Sequence, residues 1–230
     1  MTDKTKSAFT LAEVLITLVI IGVVAAMTIP TAIANYQKRQ TVVKLKAAYS
    51  QLSQAIRMAS SEHGDLKNWG DEISKIDGVS TEKSQYFFET YLKHYMRIEK
   101  YCVPSSEECW TPPVSLSGIE SLKNNYSQYI SFVLSNGMSV YLWVSGSGNA
   151  CIYVNINGLK KGVVGRDVFG FKLGSDESML LGMGYDQDMD TLINDGSMGC
   201  SKDVQGESAG RYCAALIQRS GWKIDDNYPW

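Results

Sequence analysis

Residues 9–29 read Phe-Thr-Leu-Ala-Glu-Val-Leu-Ile-Thr-Leu-Val-Ile-Ile-Gly-Val-Val-Ala-Ala-Met-Thr-Ile, with Glu13 as the single charge. At about 1.5 Å of helical rise per residue this segment covers roughly 30 Å, the thickness of a bilayer's hydrocarbon core. No other feature restricts the fold so strongly. A carboxylate near the start of such a segment is costly, so it marks a functional residue whose partner has to be named. Pro30 follows at once and should kink or loosen the helix rather than end it, because a helical pattern resumes.

That pattern is Val42, Leu45, Tyr49, Leu52, Ile56 and Ala59, with steps alternating three and four. It predicts one apolar stripe on a helix, with Lys44, Lys46, Gln51 and Arg57 off the stripe. A helix from about Phe9 to Ser61 is expected, its first half in lipid and its second half laid on a globular head. Gly64 and Asp65 are the stop signals.

Three readings of the N-terminus compete. One is a plain signal anchor. A second is a cleaved signal peptide, for which Ala32-Ile33-Ala34 is an A-x-A site, although the apolar core is too long and a Glu inside it is out of place. The third rests on Ala8-Phe9-Thr10-Leu11-Ala12-Glu13-Val14-Leu15-Ile16, then Ile20 to Ala26, then Ile29-Pro30. This stretch resembles the cleavage and methylation motif of type IV pilins and type II secretion pseudopilins.

The resemblance implies several things. A prepilin peptidase would cut between Ala8 and Phe9, and Phe9 would become the N-methylated terminus. Ala8 stands where the family usually has Gly. Lys4 and Lys6 give the leader its cytoplasmic positive charge. Glu13 would pair with the Phe9 amine of a neighbouring subunit, because a lone charge buried among helices costs several kcal/mol (~3–5). Gly22, Ala25 and Ala26 are small enough to let helices approach closely. The domains read as a leader (1–8), a membrane half-helix (9–29), an amphipathic half-helix (30–63) and a head (64–230).

In the head, residues 67–80 read as loop and residues 82–96 as a second helix with an aromatic core stripe. Strands are expected at 129–134, 138–144, 150–156 and 168–173, with one more near 178–181. Asn136-Gly137 between two apolar runs is a hairpin signal. Short connections make the sheet antiparallel. The expected class is α+β, a long N-terminal helix packed on a small antiparallel head, which is also the pilin architecture by resemblance. Two stretches, 154–169 and 221–230, resemble the heads of some prepilin-type proteins. Trp222, Tyr228 and Trp230 are expected to pin the C-terminus to the sheet.

There are five cysteines and no CxxC. In an extracytoplasmic head, Cys102 with Cys109 and Cys200 with Cys213 would each close a short loop; all five free and buried is the alternative. Cys151 reads as a buried thiol. No GxxxxGK or HExxH is present, and His63 and His94 read as ordinary histidines, so no catalytic residue is assigned. Asp186, Asp188 and Asp190 alternate as the start of a Ca²⁺ cage could, but an EF-hand is ruled out by Thr191 and Ser197 in place of its Gly and Glu. Some pseudopilins bind Ca²⁺ in the head, so this stays a weak candidate and no other cofactor is expected. Net charge near −2 gives no nucleic-acid stripe, and Lys160, Lys161, Arg166 and Lys172 read as a solvated face.

The expectation is therefore a non-enzymatic minor pilin or pseudopilin of the bacterial cytoplasmic membrane, single-pass with its head outside. Its partners would be other subunits, the peptidase and lipid, with no nucleic acid. The alternatives are a membrane-anchored extracytoplasmic binding protein and a DNA-uptake (competence) pilin.

Overall fold

The computed structural model describes residues 10–76, 80–122, 128–145, 149–173, 179–225 and 228–230. The expected leader (1–8), Phe9, and the turns expected at 77–78 and 146–148 lie outside this set. Helix α1, Leu11–His63, runs unbroken through Pro30. The proline has no N–H to give the carbonyl one turn back, yet its flanking turns hold the helix. The chain divides into two compact units, Met1–Gln40 and Thr41–Trp230.

Within the first unit α1 is apolar and uncovered. Leu11, Ile16, Val19, Ile20 and Met27 are all exposed, and the segment is long and apolar enough to cross a membrane. Its polar hydroxyls are satisfied locally. Thr17 Oγ1 donates to the Val14 carbonyl and Thr28 Oγ1 to the Val24 carbonyl, both at 2.9 Å. A hydroxyl that returns to its own helix carries no unpaired donor into lipid.

In the second unit the rest of α1 covers a six-stranded antiparallel meander: β1 Ile98–Cys102, β2 Ile130–Leu134, β3 Ser139–Val144, β4 Ala150–Asn155, β5 Val168–Leu173 and β6 Leu181–Gly182. A long helix on an antiparallel sheet is the expected α+β class. The buried stripe of α1 is Thr41, Leu45, Ala48, Leu52, Ala55, Ile56 and Ala59. It is rotated from the expected one: Val42 and Tyr49 lie on one flank and are only half-buried, while Ala48 and Ala55 extend it on the opposite side. Small residues there let the helix approach the sheet, a preference that hydrophobicity alone does not reveal.

The sheet is buried on both sides. Val140, Leu142 and Val144 on β3, and Ile152 and Val154 on β4, join the α1 core, while Tyr141 and Tyr153 build a second cluster with Trp110, Val164 and Val168. An antiparallel sheet usually keeps one solvated face and a clean apolar–polar alternation. Here the alternation is aliphatic against aromatic. The β2–β3 loop is a type I turn closed by Gly137 N–H on the Leu134 carbonyl at 2.8 Å. Gly137 then takes φ 81°, the left-handed position of a three-residue hairpin loop.

Three expectations are corrected here. Residues 67–80 are not all loop: α2, Leu66–Ser74, docks Trp69 and Ile73 into the core. Its window is polar and holds Gly70, so tertiary burial overrides weak propensity. The second helix is not uniform. It begins as α3, Ser80–Phe87, widens to a π-turn over Phe88–Leu92, and tightens to 3₁₀ over Lys93–Tyr95. The wide turn keeps Phe87, Phe88, Tyr91 and Leu92 all inward. The stretch from Gly182 to Gly210, which reads in sequence as a long loop, holds α4 (Met189–Asn194), and strand β1 and α5 (Cys213–Arg219) are regular elements the sequence pattern does not mark.

Phe88 shows how tightly this layer is filled. It is fully buried, 4.5 Å from the Phe132 ring and 4.6 Å from that of Tyr101. Phe88→Ala should cost about 3–5 kcal/mol. A urea titration followed by tryptophan fluorescence reads this loss; a midpoint unchanged from the parent chain would mean the layer collapses around the hole.

Candidate functional site

The first turn of α1 is a closed polar device. Glu13 Oε2 accepts from the Thr10 backbone N–H and from Thr10 Oγ1, both at 2.8 Å. Glu13 N–H donates to Thr10 Oγ1 at 3.3 Å. This is a reciprocal capping box, Thr10-Leu11-Ala12-Glu13, which satisfies two of the orphan donors at a helix start. The sequence reading gives Glu13 a partner on an adjacent copy; the structure supplies a first partner within the chain. The T-x-x-E spacing could have revealed it. Ala8 and Phe9, with the expected cleavage point between them, lie outside the described residues. Gly22 has open space beside it.

Cys102 is joined to Cys109, and Cys200 to Cys213. The first pair ties the end of β1 to the loop that carries Trp110. The second ties the segment after α4 to the start of α5. Cys151 is free and half-buried, not fully enclosed. Its alternate position on β4 turns it to the aromatic face rather than to the α1 core.

The three alternating aspartates do not converge. Asp188 caps α4, accepting from Thr191 N–H and Thr191 Oγ1 at 2.9 Å each. Those bonds hold its pKa below the usual carboxylate range. Asp190 accepts from Asn194 Nδ2 at 2.8 Å, and Asp186 from Gln187 Nε2 at 3.3 Å. Among the described residues no group of three or more His, Cys, Asp or Glu side chains is placed to hold a metal ion. Of the basic residues, Lys160, Lys161 and Lys172 are exposed, and the Arg166 guanidinium lies 5.4 Å from the Trp230 ring.

The C-terminus is docked, but not on the sheet alone. Trp222 meets Tyr49 of α1 with ring centroids 4.9 Å apart. The buried Tyr228 hydroxyl donates to the Gly165 carbonyl. Of the histidines, His63 packs edge-on against Tyr91 at 5.3 Å, and His94 is exposed.

An uncovered apolar half-helix with a capping-box Glu, continuing onto an antiparallel sheet, defines a pilin-like protein. Two sequence profiles match the chain, and the first agrees with that class. The prokaryotic N-terminal methylation motif matches residues 3–29, and the chain belongs to a family of unknown function (DUF6613), matched over residues 31–230. No curated protein and no solved structure matches it. Proteins with this motif and fold are in general structural rather than catalytic.

Proposed function

We propose that this chain is a minor pilin or pseudopilin, a structural subunit of a type IV pilus or a type II secretion filament. The observation that carries the reading is Glu13. It is a carboxylate in the first turn of an apolar, uncovered helix, inside a prepilin-type methylation motif. A prepilin peptidase cuts between Ala8 and Phe9 and Phe9 is methylated. The segment from residue 9 to residue 29 anchors the chain in the cytoplasmic membrane, residues 30–63 continue the helix, and the head from residue 64 lies outside. Location outside the cytoplasm agrees with two disulfides, which persist in oxidising compartments.

Cleavage frees the Phe9 amine one turn before Glu13. A subunit that enters the filament brings this amine against the Glu13 carboxylate of a copy already in place. In low dielectric the pair offsets two charges that would each be costly alone. It therefore favours one axial register over slipped ones.

Mass spectrometry of the N-terminal peptide from membrane-extracted protein tests the processing step. The mature chain should begin at Phe9 and carry one added methyl group. Material that begins at Met1, or after Ala34, would overturn the assignment.

A further inference from the structure

We propose that the aromatic face of the head holds a binding pocket for a small planar aromatic acid. The face is the one turned away from α1. Cross-strand pairs Tyr141–Tyr153 and Trp143–Cys151 of β3 and β4 form it. Tyr141 and Tyr153 are nearly fully buried and make the floor. Tyr129, Trp143, Met183 and Met198 help to wall a cavity of about 360 Å³, within the range of small-ligand sites.

One polar group points to the class of occupant. Arg211 also lines the cavity, its guanidinium carbon 5.9 Å from the Tyr153 ring. Its Nε is buried and has no hydrogen-bond partner among the described residues. A buried guanidinium nitrogen without an acceptor is uncommon, because the donor loses water and gains nothing in return. The edge of a guanidinium is a fork that fits a carboxylate with two parallel hydrogen bonds. Lys172, registered beside Cys151 on β5, adds a second positive charge on the same face. Glu207 also lines the pocket but is exposed, where solvent screens it.

The walls select the rest of the ligand. Flat tyrosine and tryptophan rings favour a flat ring stacked or edge-on between them. Two thioethers adapt to its outline. A carboxylate on that ring's side chain would reach Arg211. None of this depends on filament assembly, since every residue involved lies in the second compact unit.

Cys151 supplies the reporter, as the one unbridged cysteine of the five. The full chain in lipid nanodiscs is treated with methyl methanethiosulfonate, which modifies thiols and leaves amines alone, in alkaline buffer, because burial pushes the Cys151 thiol pKa up. The reaction is repeated with 3-phenylpropionate, 3-phenylpropanol or 3-phenylpropylamine present. The acid should slow this modification saturably, at concentrations about tenfold lower than the alcohol, with the amine weakest. Arg211→Gln should bring the acid to the level of the alcohol and leave the alcohol unchanged. Absence of saturable protection by the acid at millimolar concentration would overturn the proposal, as would equal protection by all three probes. The three-probe comparison on the unaltered chain decides the matter even where the variant fails to fold. Filament incorporation is a separate assay, so failure of the filament reading would be seen independently.

Discussion

On the proposed filament role, Glu13→Ala should leave the chain inserted in the membrane and remove it from filaments. Insertion would depend on the apolar run from residue 9 to residue 29, and removing its one charge makes that run more apolar. Incorporation would depend on the carboxylate. Without it, the incoming Phe9 amine enters a low-dielectric helix bundle unpaired, at a cost of several kcal/mol (~3–5). Each 1.4 kcal/mol is about a factor of ten, so sheared filaments should contain the variant at less than about a tenth of the parental level. The capping box separates two explanations. Alanine removes both the charge and the bond to Thr10 N–H. Glutamine at this third position can still close a capping box but carries no charge. Glu13→Gln should therefore fail nearly as badly as Glu13→Ala. If Glu13→Gln assembles normally, the side chain serves as a cap and the charge pair plays no part.

The second large effect lies at the far end of the sheet. Gly182 of β6 is packed directly against α5. A Cβ on it would lie 2.3 Å from Ala215 N, 2.5 Å from Ala215 Cα and 2.8 Å from the Ala214 carbonyl carbon. All three are backbone atoms and cannot rotate away. The helix itself is held: Cys213 is bridged to Cys200, and Gln218 Oε1 accepts from Gly182 N–H at 2.8 Å. Gly182→Ala must push α5 off the sheet or break that contact, at about 3 kcal/mol. Gly196→Ala is the control, since nothing lies within 4 Å of its would-be Cβ. Denaturant titration of both variants gives the comparison. A Gly182→Ala midpoint as high as that of Gly196→Ala would show that α5 is free to move, contrary to this account.

Legibility followed the physics of each segment. The central strands β3 and β4 were readable because five consecutive apolar residues close to turn residues have few alternatives at that length. The hairpin at Asn136-Gly137 was readable because a left-handed position nearly demands glycine. Strand β1 was not, since Ile98-Glu99-Lys100-Tyr101-Cys102 lies at an edge and is only half-buried. Helix α2 was not, since Leu66, Trp69 and Ile73 do fall at helical spacing but Gly70 and the polar residues between them read as turn. The stripe of α1 was found in kind but misplaced in rotation, because alanines read as neutral until a sheet is close enough to bury them. The Thr10–Glu13 bonds were legible in spacing yet went unread.

The first 29 residues were legible in the chain itself. A run of bilayer length that holds a single carboxylate, preceded by a short stretch with lysines, needs no tertiary context to be recognised, because a membrane is a uniform solvent and each residue meets it alone. The head was decided by packing. Which face of β3 and β4 looks at α1, that tyrosines rather than polar residues fill the other face, that Cys151 is left partly open beside Arg211, and that α5 closes on Gly182 all depend on pieces of backbone far apart in sequence. Their contact energies exist only once those pieces meet.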